Sequence, residues 1–226
     1  MYLDANPYLY AGLIHVLRRG TAILLEESAQ GIFLKDSVSQ FSFLAVDSCS
    51  LGVEWLMRHE RESYAGLCVF DPMLASFAKK RYAFSTHMTC FQAVYPFRTP
   101  PPLSRKLRIR PASPQDLETV AAHYHHVSTN ELAQNICLRN LFLGYRDDTM
   151  VGFVGQHLEG AIGLLEVLPK HRGQGYGREL EGFMIARMLE DGYLPFCQVE
   201  EENEASLGLQ RSLGMRLADG KMYFVY

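Results

Sequence analysis

The apolar positions of this chain change period as it runs, and the changes mark out elements. Leu180, Phe183, Met184 and Met188 recur three and four residues apart. That spacing places them on one face of a helix over 178–190, ended by Gly192. Short apolar, β-prone runs at 106–110, 141–145, 150–157, 162–168, 196–199 and 221–226 read as strands, with Arg146, Asp147 and Asp148 as a turn between the second and third. Helical patterns at 114–126 (opening near Ser113), 129–140 and 204–213 (stopped by Gly214) fall between them. Upstream, strand-like runs at 21–25 and 41–46 precede a helix-like run at 51–61. The alternation with short connections predicts an α/β fold, an α+β arrangement on a mixed sheet.

Four of the ten prolines lie between Pro96 and Pro102. Such a run cannot continue a helix or pair inside a sheet, so it reads as a stiff connector. The chain divides into two lobes: residues 1–95, a linker over 96–105, and residues 106–226. A faint echo links the halves. Val69, Asp71, Ala75 and Ser76 align with Val199, Glu201, Ala205 and Ser206 at a constant offset of 130, and each set leads through a helix to a final strand. Chance similarity between two α/β units would look the same.

Composition narrows the function classes. With 226 residues, the chain is long enough to bury about 70% of its unfolded surface without disulfide or metal support. Lys and Arg total 22 against 25 Asp and Glu, a net charge of −3, which is no footprint for nucleic acid. No stretch has the length of apolar sequence that a membrane span requires, and no secretory signal opens the chain. Cys49, Cys68, Cys90, Cys137 and Cys197 are odd in number and widely spaced, as expected of reduced, buried thiols in a cytoplasmic protein.

The most informative stretch runs from Gly163 to Arg178, with Gly173, Gly175 and Gly177 between a strand and a helix. Glycines let backbone N–H groups approach a ligand, and a fresh helix N-terminus adds unpaired amides and a positive dipole end. Together they suit a phosphate or pyrophosphate, and Arg172 and Arg178 flank the loop. A Walker loop is excluded because GxxxxGK[ST] is absent. A dinucleotide fingerprint fits poorly, since the spacing is GxGxG and the chain ends too soon for further βαβ units.

A second element follows: Asn203, Ser206, and then Leu213-Gly214-Met215. The order VLPxxRGxGxG, helix, strand, NxxSxxxxxxLGM resembles the GNAT superfamily of acyl-CoA-dependent N-acyltransferases, over 106–226. The wording GLLEVLP…GYLPFCQVEEENEAS is most similar to the glycine N-acyltransferase-like branch, where a degenerate GNAT-like half precedes the active one. The resemblance implies an N-acyltransferase with acetyl-CoA as co-substrate and no metal, acting on a small-molecule amine or amino acid. A regulatory protein that binds acyl-CoA without turnover is the alternative. It implies that Val167 and Leu168 offer backbone groups to the pantetheine arm, and that Arg172, Gly173, Gln174, Gly175, Tyr176, Gly177 and Arg178 cradle the pyrophosphate. Asn203 would bond the pantetheine, with Ser206 near it, although Asn203 also suits a helix N-cap.

Amide formation requires a group to take the amine's proton. Glu166 is a carboxylate in an otherwise apolar strand, where a charge is costly unless used or paired. It shares strand parity with Ile162 and Leu164, and an ion pair with a basic neighbour is the alternative reading. Glu159 is the other candidate. Many relatives carry a general-acid tyrosine seven residues after the motif asparagine; here that position is Gln210, and Tyr223 or Tyr226 could substitute. His123, His125 and His126 cluster at a helix end without a zinc spacing. Phe41, Phe43, Trp55, Tyr82 and Phe84 are expected in the core.

Overall fold

The computed structural model describes residues 2–60 and 64–226. The chain forms two compact units. The first comprises residues 1–94, 198–204 and 217–226; the second comprises 95–197 and 205–216.

The first unit contains α1 (Ala11–Arg18), β1 (Ala22–Ser28), β2 (Gly31–Asp36), β3 (Ser42–Val46), α2 (Cys49–Arg58), β4 (Leu67–Val69), α3 (Pro72–Arg81) and β5 (His87–Val94). Helix α2 is capped by Ser48, whose Oγ accepts from the Leu51 N–H at 3.3 Å. The expected helix at 51–61 therefore begins two residues earlier, and Arg61 lies outside the described residues. Helix α3 opens on an Asp71 cap with Pro72 at the first helical position, where its missing N–H costs nothing. Strands β1, β2 and β3 are antiparallel neighbours, and β3 is parallel to β4. Beyond β4 the sheet is completed from the other end of the sequence. Strand β12 (Met222–Val225) lies between β4 and β5, antiparallel to both. One face of the unit buries Leu13, Leu34, Phe43 and Phe224; the other buries Phe33, Trp55, Leu67 and Val225. Phe41, Tyr82 and Phe84 are partly buried against these clusters.

The second unit contains β6 (Arg108–Pro111), α4 (Leu117–Ala121), α5 (Thr129–Cys137), β7 (Leu141–Arg146), β8 (Thr149–Gln156), β9 (Ile162–Val167) and α6 (Tyr176–Glu190). Strand β10 (Phe196–Glu200) runs from the second unit into the first, helix α7 (Glu204–Leu213) lies in the second from Ala205 on, and strand β11 (Arg216–Leu217) leads back into the first. Strands β6 to β9 form an antiparallel four-stranded sheet in sequence order. Leu141, Leu143, Phe153 and Leu164 pack with Val120, Leu132 and Ile136, so α4 and α5 cover one face. Phe142 meets Phe183 with ring centroids 5.1 Å apart, and Gly144 admits Leu180, so α6 covers the other. The helix expected over 114–126 is shorter. A 3₁₀ turn at Pro114–Asp116 precedes α4; the Asp116 carboxylate accepts from the Ser113 N–H and hydroxyl at the start of that turn and takes two 2.8 Å bonds from Arg110. Arg110 foremost, against the effect of burial and with help from Ser113, holds the Asp116 carboxyl well below the usual carboxylate range.

The proline-rich segment is part of the second unit, held along α6. Glu179 is 3% exposed and accepts from the Leu107 N–H at 2.7 Å and from the Ser104 hydroxyl. Arg178 donates to the Pro102 carbonyl at 2.8 Å. A Cβ on Gly182 would come within 2.4 Å of a Leu103 methyl, so a larger residue there would make that side chain shift. The five cysteines are thiols rather than disulfides: Cys68, Cys90 and Cys197 are buried, Cys49 is half-buried, and Cys137 is exposed rather than buried as expected. Among the described residues, no helix is long and apolar enough to cross a membrane.

Glu179→Ala should destabilise the second unit by about 2 kcal/mol, because the Leu107 N–H and the Ser104 hydroxyl lose a charged acceptor. A urea midpoint that does not move would show that the segment holds without it.

Candidate functional site

Strand β9 carries the geometry on which the candidate site is built. It pairs with β8 on one side and, among the described residues, has no strand partner on the other. Its register slips. Gly163 stands opposite Gly155 and Glu166 opposite Phe153, so two residues of β9 face one of β8. Leu164 sits in this bulge at φ +47°, a conformation that costs a non-glycine residue energy. The extra residue changes the parity of the strand. Ile162 is opposite Gln156 and Glu166 opposite Phe153, so the two side chains leave opposite faces of the sheet. The expectation that Glu166 shares its face with Ile162 is therefore corrected: Glu166 lies on the α4/α5 face because of the bulge.

Beyond β9 the chain turns through Pro169–His171 into the glycine loop. Gly173 and Gly175 have φ of +75° and +82°, and no heavy atom lies within 4 Å of where either Cβ would be. Gly175 is the left-handed N-cap of α6, and no side chain caps the helix. The first amides of α6, at Tyr176, Gly177 and Arg178, thus open toward an exposed loop with Gln174 at its tip. Tyr176 itself is 7% exposed.

The two flanking arginines have other partners. Arg172 folds back, donating through Nε to the Val167 carbonyl at 3.0 Å and through an Nη to Glu166 at 2.8 Å. The ion-pair alternative for Glu166 is thus the observed one. Arg178 donates to the carbonyls of Pro102 and Ser212. The Leu168 N–H donates to the Val151 carbonyl at 2.9 Å. Asn203 donates its N–H to the Glu200 carbonyl at 3.0 Å just before α7, and Ser206 lies in the first turn of α7. Asn203 falls in the first unit and Ser206 in the second.

Gln210 has a structural setting. It is 3% exposed, and its Nε2 donates to Glu181 at 3.1 Å. Glu181 is 2% exposed on α6; burial, opposed by bonds from Gln210 and Cys197, pushes its carboxyl up to about 7. Tyr223 lies in the first unit opposite Val69 and Thr89, and Tyr226 donates to the Met88 sulfur at 3.1 Å.

The α4/α5 face gathers residues that the sequence reading did not single out. The Tyr124 phenol accepts a hydrogen bond from the Leu164 backbone; burial, then the Glu131 and Glu166 carboxylates, push it up to about 12. His157 follows β8, and its ring lies over Gly163, where a Cβ would meet Nε2 at 2.3 Å. Its Nδ1 is 3.7 Å from Glu131 of α5. Burial disfavours the imidazolium, but Glu131, helped by Glu159, outweighs it and raises His157 above the ordinary histidine value. Glu159 lies half-buried in the same hairpin. One signal for this cluster was present in the sequence: a glycine inside an apolar strand often marks a close approach by another group. His123 bonds the Thr119 carbonyl through Nδ1 at 2.8 Å.

The FR47-like protein family matches residues 141–225, which include β9, the glycine loop and α6. No curated protein matches the chain by sequence. Among solved structures, a Drosophila protein is 16% identical with a TM-score of 0.67, covering 99% of this chain and 92% of its own. A putative GNAT-family acetyltransferase from Novosphingobium aromaticivorans is 14% identical with a TM-score of 0.59, covering 97% and 95%. A tandem GNAT protein from the clavulanic acid biosynthesis pathway is 14% identical with a TM-score of 0.51, covering 96% and 87%. The chain therefore has the mixed α/β fold of the GNAT acetyltransferases.

Because Glu181 holds its proton more tightly folded than unfolded, its contribution to stability is full below about pH 4.5 and falls as pH rises toward 7. Glu181→Gln should flatten that decline in urea midpoints taken between pH 5 and 8. An unchanged slope would place the titrating group elsewhere.

Proposed function

We propose that the second unit is an acyltransferase that moves an acyl group, acetyl in the simplest case, from CoA to the amine of a small molecule or amino acid. The observation that carries this reading is the junction of β9 and α6. An unpartnered strand edge with a bulge runs into an open, uncapped helix N-terminus shaped by two left-handed glycines. The FR47-like match over this segment and the GNAT fold support it. The similarity in wording to the glycine N-acyltransferase-like branch supports an amine acceptor.

In this reading the amides of Tyr176 and Gly177 and the loop over 172–175 hold the pyrophosphate, with Arg172 swinging from Val167 to meet it. The freed edge at Val167 bonds the pantetheine like an added strand. Ser206 contributes from the first turn of α7. Residues 163–167 span about 13 Å of strand, which carries the arm from the loop to the bulge. There a backbone N–H can stabilise the oxyanion that forms when the amine attacks the thioester carbonyl. Proton acceptors on this face are Glu166, Glu159 and His157. A CoA thiol ionises near the ordinary cysteine value of ~8.5, so the thiolate leaves without a dedicated acid, consistent with Gln210 lying in the core. The first unit reads as a degenerate GNAT-like half. It has no RGxGxG, and its β4–α3 segment repeats the order of β10–α7 at the offset of 130.

Gly175→Glu should abolish acetyl-CoA binding measured by calorimetry, because it sets a carboxylate where phosphate belongs. Gly175→Asn tolerates the left-handed backbone and controls for strain, which costs about 1 kcal/mol. Unchanged affinity in Gly175→Glu would remove the loop from the site.

A further inference from the structure

We propose that His157, oriented by Glu131, takes the proton from the attacking amine. The assignment rests on the acyl-transfer reading and names a residue that reading leaves open. Three observations support it. The imidazole lies directly over Gly163, one residue before the bulge at Leu164, where the thioester carbonyl would be held. Its Nδ1 lies 3.7 Å from the Glu131 carboxylate, longer than a direct hydrogen bond but near enough to favour the tautomer with its proton on Nδ1, which leaves Nε2, above Gly163, to accept. Glu166, by contrast, stands three residues nearer the glycine loop, about 10 Å further along the strand.

The charged groups that act on His157 are Glu131 of α5 and Glu159 of the hairpin. Glu166 of β9 and the Tyr124 phenol lie on the same face of the sheet. The step balances. The neutral amine attacks the thioester carbon and a C–N bond forms. The ammonium proton passes to His157 Nε2, the C–S bond breaks, and the imidazolium gives its proton to water while the departing thiolate takes one from water. The products are the amide and free CoA thiol. Glu131 touches no reacting atom; it is a positioning residue.

Thiol release from acetyl-CoA is followed across pH with a panel of primary amines, alongside calorimetry with acetyl-CoA alone. His157→Gln should lower kcat by about 10²–10³-fold with acetyl-CoA affinity unchanged. His157→Ala should recover part of the rate in added imidazole. Glu131→Gln should lose less rate but move the ascending limb of the pH profile to lower pH, because the carboxylate that raises His157 is gone. A merely structural contact would not shift that limb. His157→Gln within threefold of wild type, or a hundredfold loss in Glu166→Gln or Glu159→Gln with His157→Gln unaffected, overturns the assignment while leaving acyl transfer intact. Acetyl-CoA that fails to bind, or binds without thiol release for any amine, overturns the acyl-transfer reading and the assignment with it.

Discussion

The single extra residue in β9 is the constraint on which the candidate site depends. A regular strand would send Ile162, Leu164 and Glu166 to one face. With Leu164 at φ +47°, the strand changes parity between Gly163 and Glu166. Glu166 thereby joins the α4/α5 face that holds Tyr124 and His157, while Ile162 turns to the α6 face. The bulge also fixes a backbone amide against the Tyr124 phenol. A strained conformation of this kind persists only when its surroundings determine it. Here Leu164 is fully buried among Phe153, Leu141 and Val120.

Much of the second unit was legible because its signals are local. The glycine loop, the helix after it and the stop at Gly192 depend on backbone chemistry within a few residues, and helix α6 starts two residues before the expected 178. The expected strand over 162–168 appears as Ile162–Val167, and the expected helix over 204–213 as Glu204–Leu213. What was not legible depends on contacts distant in sequence. The bulge exists only relative to β8, and a period-two pattern read along one strand cannot show it. Glu131 and His157 lie 26 positions apart and meet through the docking of α5 on the sheet. In the first unit, β2 is buried on both faces and gives no alternation to read.

Gln210 and Glu181 form a buried polar pair. Seven residues after Asn203, this chain buries an amide against a carboxylate on the neighbouring helix. The pair joins α6 to α7 by a polar bond inside an apolar interior, where an unpartnered group would be costly. The same economy of partners holds Glu179 against the proline-rich segment, so α6 is fixed from two sides by buried acids.

The position of β12 bears on how the protein is made. Residues 222–225 fill the place between β4 and β5, so the first unit's sheet cannot close while only its own first 94 residues exist. The pairing of Phe224 with Cys68 and Met88 spans well over a hundred residues, the kind of non-local contact that forms slowly. Until β12 is made, the facing edges of β4 and β5 lack the strand that joins them and stay open to other strands. The first unit's sheet is thus completed only after residues 95–197 of the second unit have been translated.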